Sequence, residues 1–216
     1  GFSILLKPDG VSTFEFPHIM ELVKYNQFDT IYHEHFSYLS FSSVKSIFES
    51  NGLIVFDVEQ LTTHGGSLRV YAQRLDSGKR VINERVNMML KLEETAGINT
   101  EAYYLGFQIK AKKVKDDLLN FLLDASSRGK KIAAYGAAAK GNTLLNYAGI
   151  RSDLISFVVD RNPAKQNKMM PGSRIPIVDE EFLKKEVENK WRKKCCDLPF
   201  HALLVFVPVP EFCVTK

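Results

Sequence analysis

The sequence predicts an α/β protein of two units joined by helices, and three observations predict it. Over 1–75, helical and strand-like segments alternate, with Pro and Gly turns between them. Over 76–128 the apolar period is helical. Over 129–216 a strand-like run enters a helix through a stretch of small residues, and a second such run follows about twenty residues later.

The composition is that of an ordinary globular chain: 216 residues, 45% hydrophobic and 25% charged. The net charge of +4 suits a small anionic ligand. No basic run is interleaved with aromatics, so nucleic acid is not an expected partner. No apolar stretch is long enough to span a membrane, and no signal peptide stands at the start. Cys195 and Cys196 are adjacent and Cys213 is alone, an odd count that argues against a disulfide framework. No CxxC is present, so a cysteine zinc site has no support, and the cytoplasm is the default compartment. The chain begins at Gly1 inside an apolar pattern, which reads as a fragment. The oligomeric state is left open, a monomer sufficing.

The elements follow in order. Phe2, Ile4, Leu5 and Leu6 read as the end of a helix, and Lys7-Pro8-Asp9-Gly10 as a turn. A strand is expected over 11–16, stopped by Pro17, and a short helix over 18–25. Ser40 or Ser42 suits an N-cap, and Asn51-Gly52 a C-cap. Strands are expected over 53–58 and 67–72, with a glycine loop over 62–66 between them. After a linker over 76–80, helices are expected over 85–96 and 104–123. In the second of these Phe107, Ile109, Val114, Leu118, Leu119, Phe121 and Leu122 form the apolar face, and Lys110, Lys112, Lys113 and Lys115 a solvated one.

In the last third, 131–135 reads as a buried strand leading through Gly136 and three alanines into a helix that carries Lys140 and Asn142. A strand, a tight turn and a helix N-terminus make an anion site. The turn is neither GxGxxG nor a Walker loop. A second strand over 155–160 ends at Asp160, an acid placed to hold a ribose hydroxyl. Further on, 191–196 reads as an exposed basic turn, and 202–207 as a core strand ended by Pro208 and Pro210.

The stretch richest in chemistry is Phe28-Asp29-Thr30-Ile31-Tyr32-His33-Glu34-His35-Phe36-Ser37-Tyr38. Ile31 and Phe36 are its expected apolar anchors. If extended, Tyr32 and Glu34 share one side, and His33 and His35 the other. If helical, Tyr32 and His35 come together. Either way an imidazole has a carboxylate beside it, the equipment for taking a proton off carbon. Two other readings of these residues stand beside that one: a His-x-His metal pair, and a loop whose histidines cap backbone groups. Elsewhere, Gly65 and Gly66 let backbone approach a ligand closely. Arg69 is either a strand-surface residue or a partner for an anionic substrate, and Glu15 is either a solvated residue at a strand end or a ligand-facing one.

The first segment resembles the second half of a Rossmann-like S-adenosylmethionine methyltransferase, on Leu6-Lys7-Pro8-Asp9-Gly10, on Asn51-Gly52-Leu53 and on the strand pattern. There an antiparallel last strand closes the sheet. Adding Tyr32-His33-Glu34-His35 and His64-Gly65-Gly66-Ser67-Leu68-Arg69-Val70-Tyr71, the chain resembles the nucleotide-sugar C-methyltransferases, which methylate C3 of dTDP-4-keto-deoxysugars. The C-terminal signatures of that family stand at 135–147, 159–166 and 171–177. The likeness implies the C-terminal part of a class I methyltransferase sheet plus a second Rossmann-like domain. It implies His35 as general base, with Tyr32 and Glu34 in the site and His33, Gly65, Gly66 and Arg69 near the substrate. It implies Glu15 near S-adenosylmethionine, the cofactor. Tyr135, Lys140, Asn142, Asp160 and Lys165 would hold the dTDP half of the substrate. The glycine-rich turn for S-adenosylmethionine and the N-terminal zinc region of the family are absent here. Two rival readings are an NAD-binding oxidoreductase piece and a non-catalytic nucleotide-sugar-binding remnant.

Overall fold

The computed structural model describes residues 1–190 and 205–209. The basic turn expected over 191–196 and all three cysteines lie outside the described residues. The described chain forms two compact units. The first is Gly1–Phe28 with His35–Lys110; the second is Asp29–Glu34 with the described residues from Ala111 on.

In the first unit, α1 (Phe2–Leu5) leads to β1 (Val11–Pro17) through the expected turn, closed by Gly10 N–H donating to the Lys7 carbonyl at 2.9 Å. Then come α2 (Ile19–Lys24), a 3-10 turn (Phe28–Thr30), α3 (Phe41–Ser50), β2 (Leu53–Leu61), a 3-10 turn (Thr63–Gly65), β3 (Ser67–Arg74), α4 (Glu84–Ala96) and α5 (Glu101–Tyr104). Ser40 is the N-cap of α3, its hydroxyl accepting from Ser43 N–H at 3.1 Å, and Gly52 takes the left-handed φ of +74° that ends the helix.

The sheet order is β1-β3-β2, with β3 antiparallel to both neighbours. Alternation divides its two faces. Phe14, Phe16, Leu68, Val70, Val55 and Val58 join Phe41 and Val44 of α3 and Val86 and Met89 of α4 in one core. The other face is polar. There Glu15 and Glu59 flank Arg69 in register, and Arg85 pairs with Asp57. A bulge at Phe56 shifts the register between Val55 and Asp57, so both acids of β2 fall on the polar face. The bulge also lets β2 run past Val58, where alternation alone would end it.

One interaction ties this unit together. His18 and Glu93 are 1% and 0% exposed, and the imidazole Nε2 lies 2.7 Å from Glu93 Oε1. The same carboxylate accepts the Phe41 and Ser42 amides, the latter at 2.8 Å. Burial alone would raise the Glu93 carboxyl, but the bonds from His18, Ser42 and Phe41 outweigh it and hold the group below its ordinary value.

The second unit holds most of α6 (Phe107–Ser127), then β4 (Lys131–Tyr135), α7 (Ala139–Ala148), β5 (Phe157–Val159), β6 (Ile177–Val178), α8 (Glu180–Lys190) and β7 (Val205–Val209). The sheet order is β6-β5-β4-β7; β4, β5 and β6 are parallel, and β7 is antiparallel to β4. The segment read as a connector is shared between the units. α4 packs on the first sheet, and α6 from Ala111 belongs to the second unit. The buried line of α6 is Ala111, Leu118, Leu122 and Ala125, and Ile109 is exposed, contrary to the face expected. The small alanines let the helix approach its neighbours, so they replace larger apolar residues at the contact. Lys112 and Lys113 pair with Asp116 and Asp117 on the solvated face. The strand expected to stop at Pro208 instead runs through it, with Pro208 opposite Ile132. Among the described residues β7 is an edge strand, the place in a sheet where proline is tolerated.

Because the folded Glu93 carboxyl is depressed below 4.5, its contribution is full above that pH and is lost as pH falls through the folded value. We expect urea midpoints to drop on acidification from pH 6 towards pH 3, and to drop less in Glu93→Gln. An equal acid loss in both proteins would remove Glu93 as its source.

Candidate active site

The stretch 32–34 is neither strand nor helix but a turn, entered from the 3-10 turn Phe28–Thr30 with Tyr32 N–H donating to the Thr30 carbonyl at 3.1 Å. Its expected apolar anchors are exposed, Phe36 at 93%; the buried residues on either side are Thr30 and Ser40. The turn leaves no apolar surface for Ile31 or Phe36 to cover. Tyr32 and His35 are half-buried, and His33 and Glu34 stand in solvent with Nε2 and Oε1 3.9 Å apart, a weak pair. Asp29–Glu34 belongs with the second unit, and the chain returns to the first at His35. At the start of that segment burial pushes the Asp29 carboxyl up, opposed by the charge of Lys140 in the first turn of α7. Asp29 therefore sits within electrostatic reach of Lys140, a placement that no spacing in the sequence signals.

In the first unit the expected ligand-facing groups are engaged with each other. Arg69 Nη2 donates to Glu15 Oε2 at 2.9 Å, and Thr63 Oγ1 donates to Glu15 Oε1 at 2.8 Å. Cross-strand register brings this about, since Glu15 and Arg69 are direct partners. Gly65 and Gly66 have φ of +84° and +119°. A Cβ would lie 2.5 Å from Gln27 Nε2 at Gly65 and 2.7 Å from Glu21 Cγ at Gly66. The close approach expected of a ligand is made by the protein's own side chains. Gln27 donates to the Gly65 carbonyl at 2.8 Å, and His18 N–H to the Gly66 carbonyl at 3.0 Å. A cleft of about 350 Å³ opens there, lined by His18, Glu21, Tyr25, Thr62, Gly65 and Gly66 among others.

In the second unit the five residues expected to hold a nucleotide gather at one edge, where the parallel strands end and α7 begins. Tyr135 ends β4, Asp160 follows β5, and Lys140 and Asn142 lie in the first turn of α7. Ala138 stands at the N-cap and offers no capping side chain, so the first amides of α7 are left to an outside acceptor. Asn142 Oδ1 is buried and has no partner among the described residues.

Asp160 is used inward. Its Oδ2 accepts the Ala137 amide at 2.7 Å and its Oδ1 the Asn162 amide at 2.8 Å. Lys165 Nζ donates to the Ala137 carbonyl at 2.7 Å and lies 3.5 Å from Asp160 Oδ2. Burial would raise this carboxyl; the two amides and Lys165 together bring it below its usual range. Tyr135 donates its hydroxyl to Glu180 Oε1, and Arg161 Nε reaches the same oxygen at 2.7 Å. Sequence reasoning missed Glu180 and Arg161; Arg161 was visible only as the neighbour of Asp160. Among the described residues no three His, Cys, Asp or Glu side chains converge as a metal would require, and no described helix is long and apolar enough to cross a membrane.

This division between inward and outward acids is measurable. Asp160→Asn removes charge from bonds that hold the β4–α7 turn, and we expect a loss of about 1–3 kcal/mol in urea denaturation. Glu34→Gln, on an exposed turn, should stay within about 0.5 kcal/mol of the parent. Equal effects would contradict the assignment.

Residues 62–190, more than half of the chain, match the family described as the C-methyltransferase C-terminal domain. C-methyltransferase NovU of Streptomyces niveus is 42% identical over 181 residues, which are 84% of this chain and 43% of that protein. The chain thus spans less than half the length of this relative. By the extent of the family match, and with its β4–α7–β5 unit inside the matched region, the chain belongs to the C-methyltransferase C-terminal domain family.

Proposed function

We propose that the protein is an S-adenosylmethionine-dependent C-methyltransferase acting at C3 of a nucleotide-linked 4-ketosugar through an enolate. The observation that carries this reading is the grouping of Asp29–Glu34 with the second unit, where Asp29 lies within reach of Lys140. One unit then bears both the turn with Tyr32 and Glu34 and the helix N-terminus suited to a diphosphate. In this reading the sugar carried by a diphosphate at α7 reaches that turn. The β1-β3-β2 order with β3 antiparallel supports a class I methyltransferase sheet in the first unit, and the parallel β4-β5-β6 set supports a Rossmann-like second unit.

A carbon next to a ketone loses its proton because the charge passes to oxygen. His35 takes the C3 proton. Tyr32 donates to the oxygen where charge develops, and Glu34 orients an imidazole or holds a sugar hydroxyl. The α7 amides, Lys140 and Asn142 meet the diphosphate; Lys165 and Asp160 hold the turn that presents those amides. When bound, S-adenosylmethionine would supply the methyl group: the C–CH3 bond forms as the S–CH3 bond breaks, and the sulfur leaves as the neutral thioether of S-adenosylhomocysteine. Glu15, bound by Arg69 and Thr63, does not fit as its partner and is not assigned to it. The internal use of Asp160 also weighs against NAD, whose ribose needs that acid free.

Calorimetric titration of this chain with dTDP, S-adenosylmethionine and NAD should show heat with dTDP. NAD binding without dTDP binding would overturn the reading. In a methylation-competent form, His35→Ala should lower turnover at least about 100-fold and stop proton exchange at C3 in deuterated water. Continued exchange would remove His35 as the base.

A further inference from the structure

We infer that Arg161 contacts the phosphates of the nucleotide sugar, with Glu180 and Tyr135 as the residues that position it. The inference adds a residue to the nucleotide-sugar reading and rests on that reading.

Three strand ends meet along one edge of the parallel sheet in the second unit. Tyr135 ends β4, Arg161 stands two residues beyond β5, and Glu180 stands two beyond β6 as the first residue of α8. Register places Tyr135 opposite Val159 and Val159 opposite Val178, so these ends lie side by side. The Tyr135 hydroxyl and Arg161 Nε both donate to Glu180 Oε1, the second at 2.7 Å. The same edge carries the turn into α7. The Gly136 amide donates to the Val159 carbonyl at 2.7 Å, and the Ala137 amide to Asp160 Oδ2 at 2.7 Å. Asp160 Oδ1 accepts the Asn162 amide at 2.8 Å. One acid therefore fixes the backbone on both sides of Arg161 and joins it to the turn before α7.

Stability alone does not call for this. The Arg161 and Glu180 side chains are 78% and 41% exposed, and an ion pair so placed adds little to a fold. What the pair does is orient a guanidinium. Glu180 takes it by Nε, which leaves the parallel Nη1 and Nη2 donors to an outside acceptor, and a phosphate matches that fork. The bonds from Tyr135 and Arg161 hold the Glu180 carboxyl below its ordinary value, so it keeps its charge at neutral pH. The neighbouring cations do not replace Arg161. Lys165 is bound to the Ala137 carbonyl and lies beside Asp160, and the charge of Lys140 acts on Asp29. The N-terminus of α7 adds about half a unit of positive charge, against about two negative charges on a diphosphate that carries a sugar. With Asp160 turned inward, the charged group presented outward beyond β5 is Arg161.

The test is calorimetric titration of this chain with dTDP at several salt concentrations, for the parent, Arg161→Ala, Arg161→Lys and Glu180→Gln, beside a urea midpoint for each. We expect Arg161→Ala to weaken dTDP binding by about 10–100-fold and to flatten its dependence on salt. Arg161→Lys keeps the charge without the fork, so it should restore the salt dependence and only part of the affinity. Glu180→Gln should weaken binding by about 3–10-fold while its salt dependence stays close to the parent's. The urea midpoints of the Arg161 variants should match the parent's. A parent that does not bind dTDP overturns the nucleotide-sugar reading, and the inference falls with it. A parent and an Arg161→Ala that bind dTDP equally, with the same salt dependence, overturn the inference and leave that reading intact. Parent-like affinity in Glu180→Gln overturns the positioning role. A lowered urea midpoint in Arg161→Ala means that the residue holds the fold, and it overturns the inference.

Discussion

A carboxylate removed from water must have its lone pairs occupied, and this constraint at Glu93 sets the plan of the first unit. Four donors could satisfy it, and three are in place: the His18 ring and two amides of α3. Each comes from a different part of the chain than α4. Satisfying one side chain thus ties the start of α3 and the residue before α2 to α4, and α3 and α4 pack on one face of the β1-β3-β2 sheet. The apolar core of Phe41, Val44, Val86 and Met89 then packs against a frame that the polar pair has already aligned.

The second unit uses the same device at smaller scale. Asp160 collects the amides of Ala137 and Asn162 and the ammonium of Lys165, and so ties the β4–α7 turn to the loop after β5. Its carboxylate points into the protein, which leaves the first amides of α7 facing outward. An acid placed for a ligand and an acid placed for a turn look alike in sequence. Here the acid is bound by the amides of the turn itself.

His33, Glu34 and Phe36 are exposed, whereas Tyr32 and His35 are half-buried. The nearest buried residues on either side of the segment are Thr30 and Ser40.

The sequence by itself determined the elements and most of their limits, because these depend on near neighbours: the Lys7-to-Gly10 turn, the Ser40 cap, the Gly52 stop and the alternation of β3. It also determined the family, through motifs that are local strings. It placed Tyr135, Lys140, Asn142, Asp160 and Lys165 together, because a strand, turn and helix bring neighbours in sequence to one edge. Only the tertiary structure decided the partners. Arg69 meets Glu15 across 54 residues, Glu93 meets His18 across 75, and Tyr135 meets Glu180 across 45. Tertiary structure also turned Ile31 and Phe36 outward, made Gly65 and Gly66 a fit for Gln27 and Glu21, and carried β7 through Pro208 at a sheet edge. The physical reason is the same in each case. Periodicity and turn chemistry act over a few residues, whereas a buried charge or a close contact is settled by whatever the fold brings beside it.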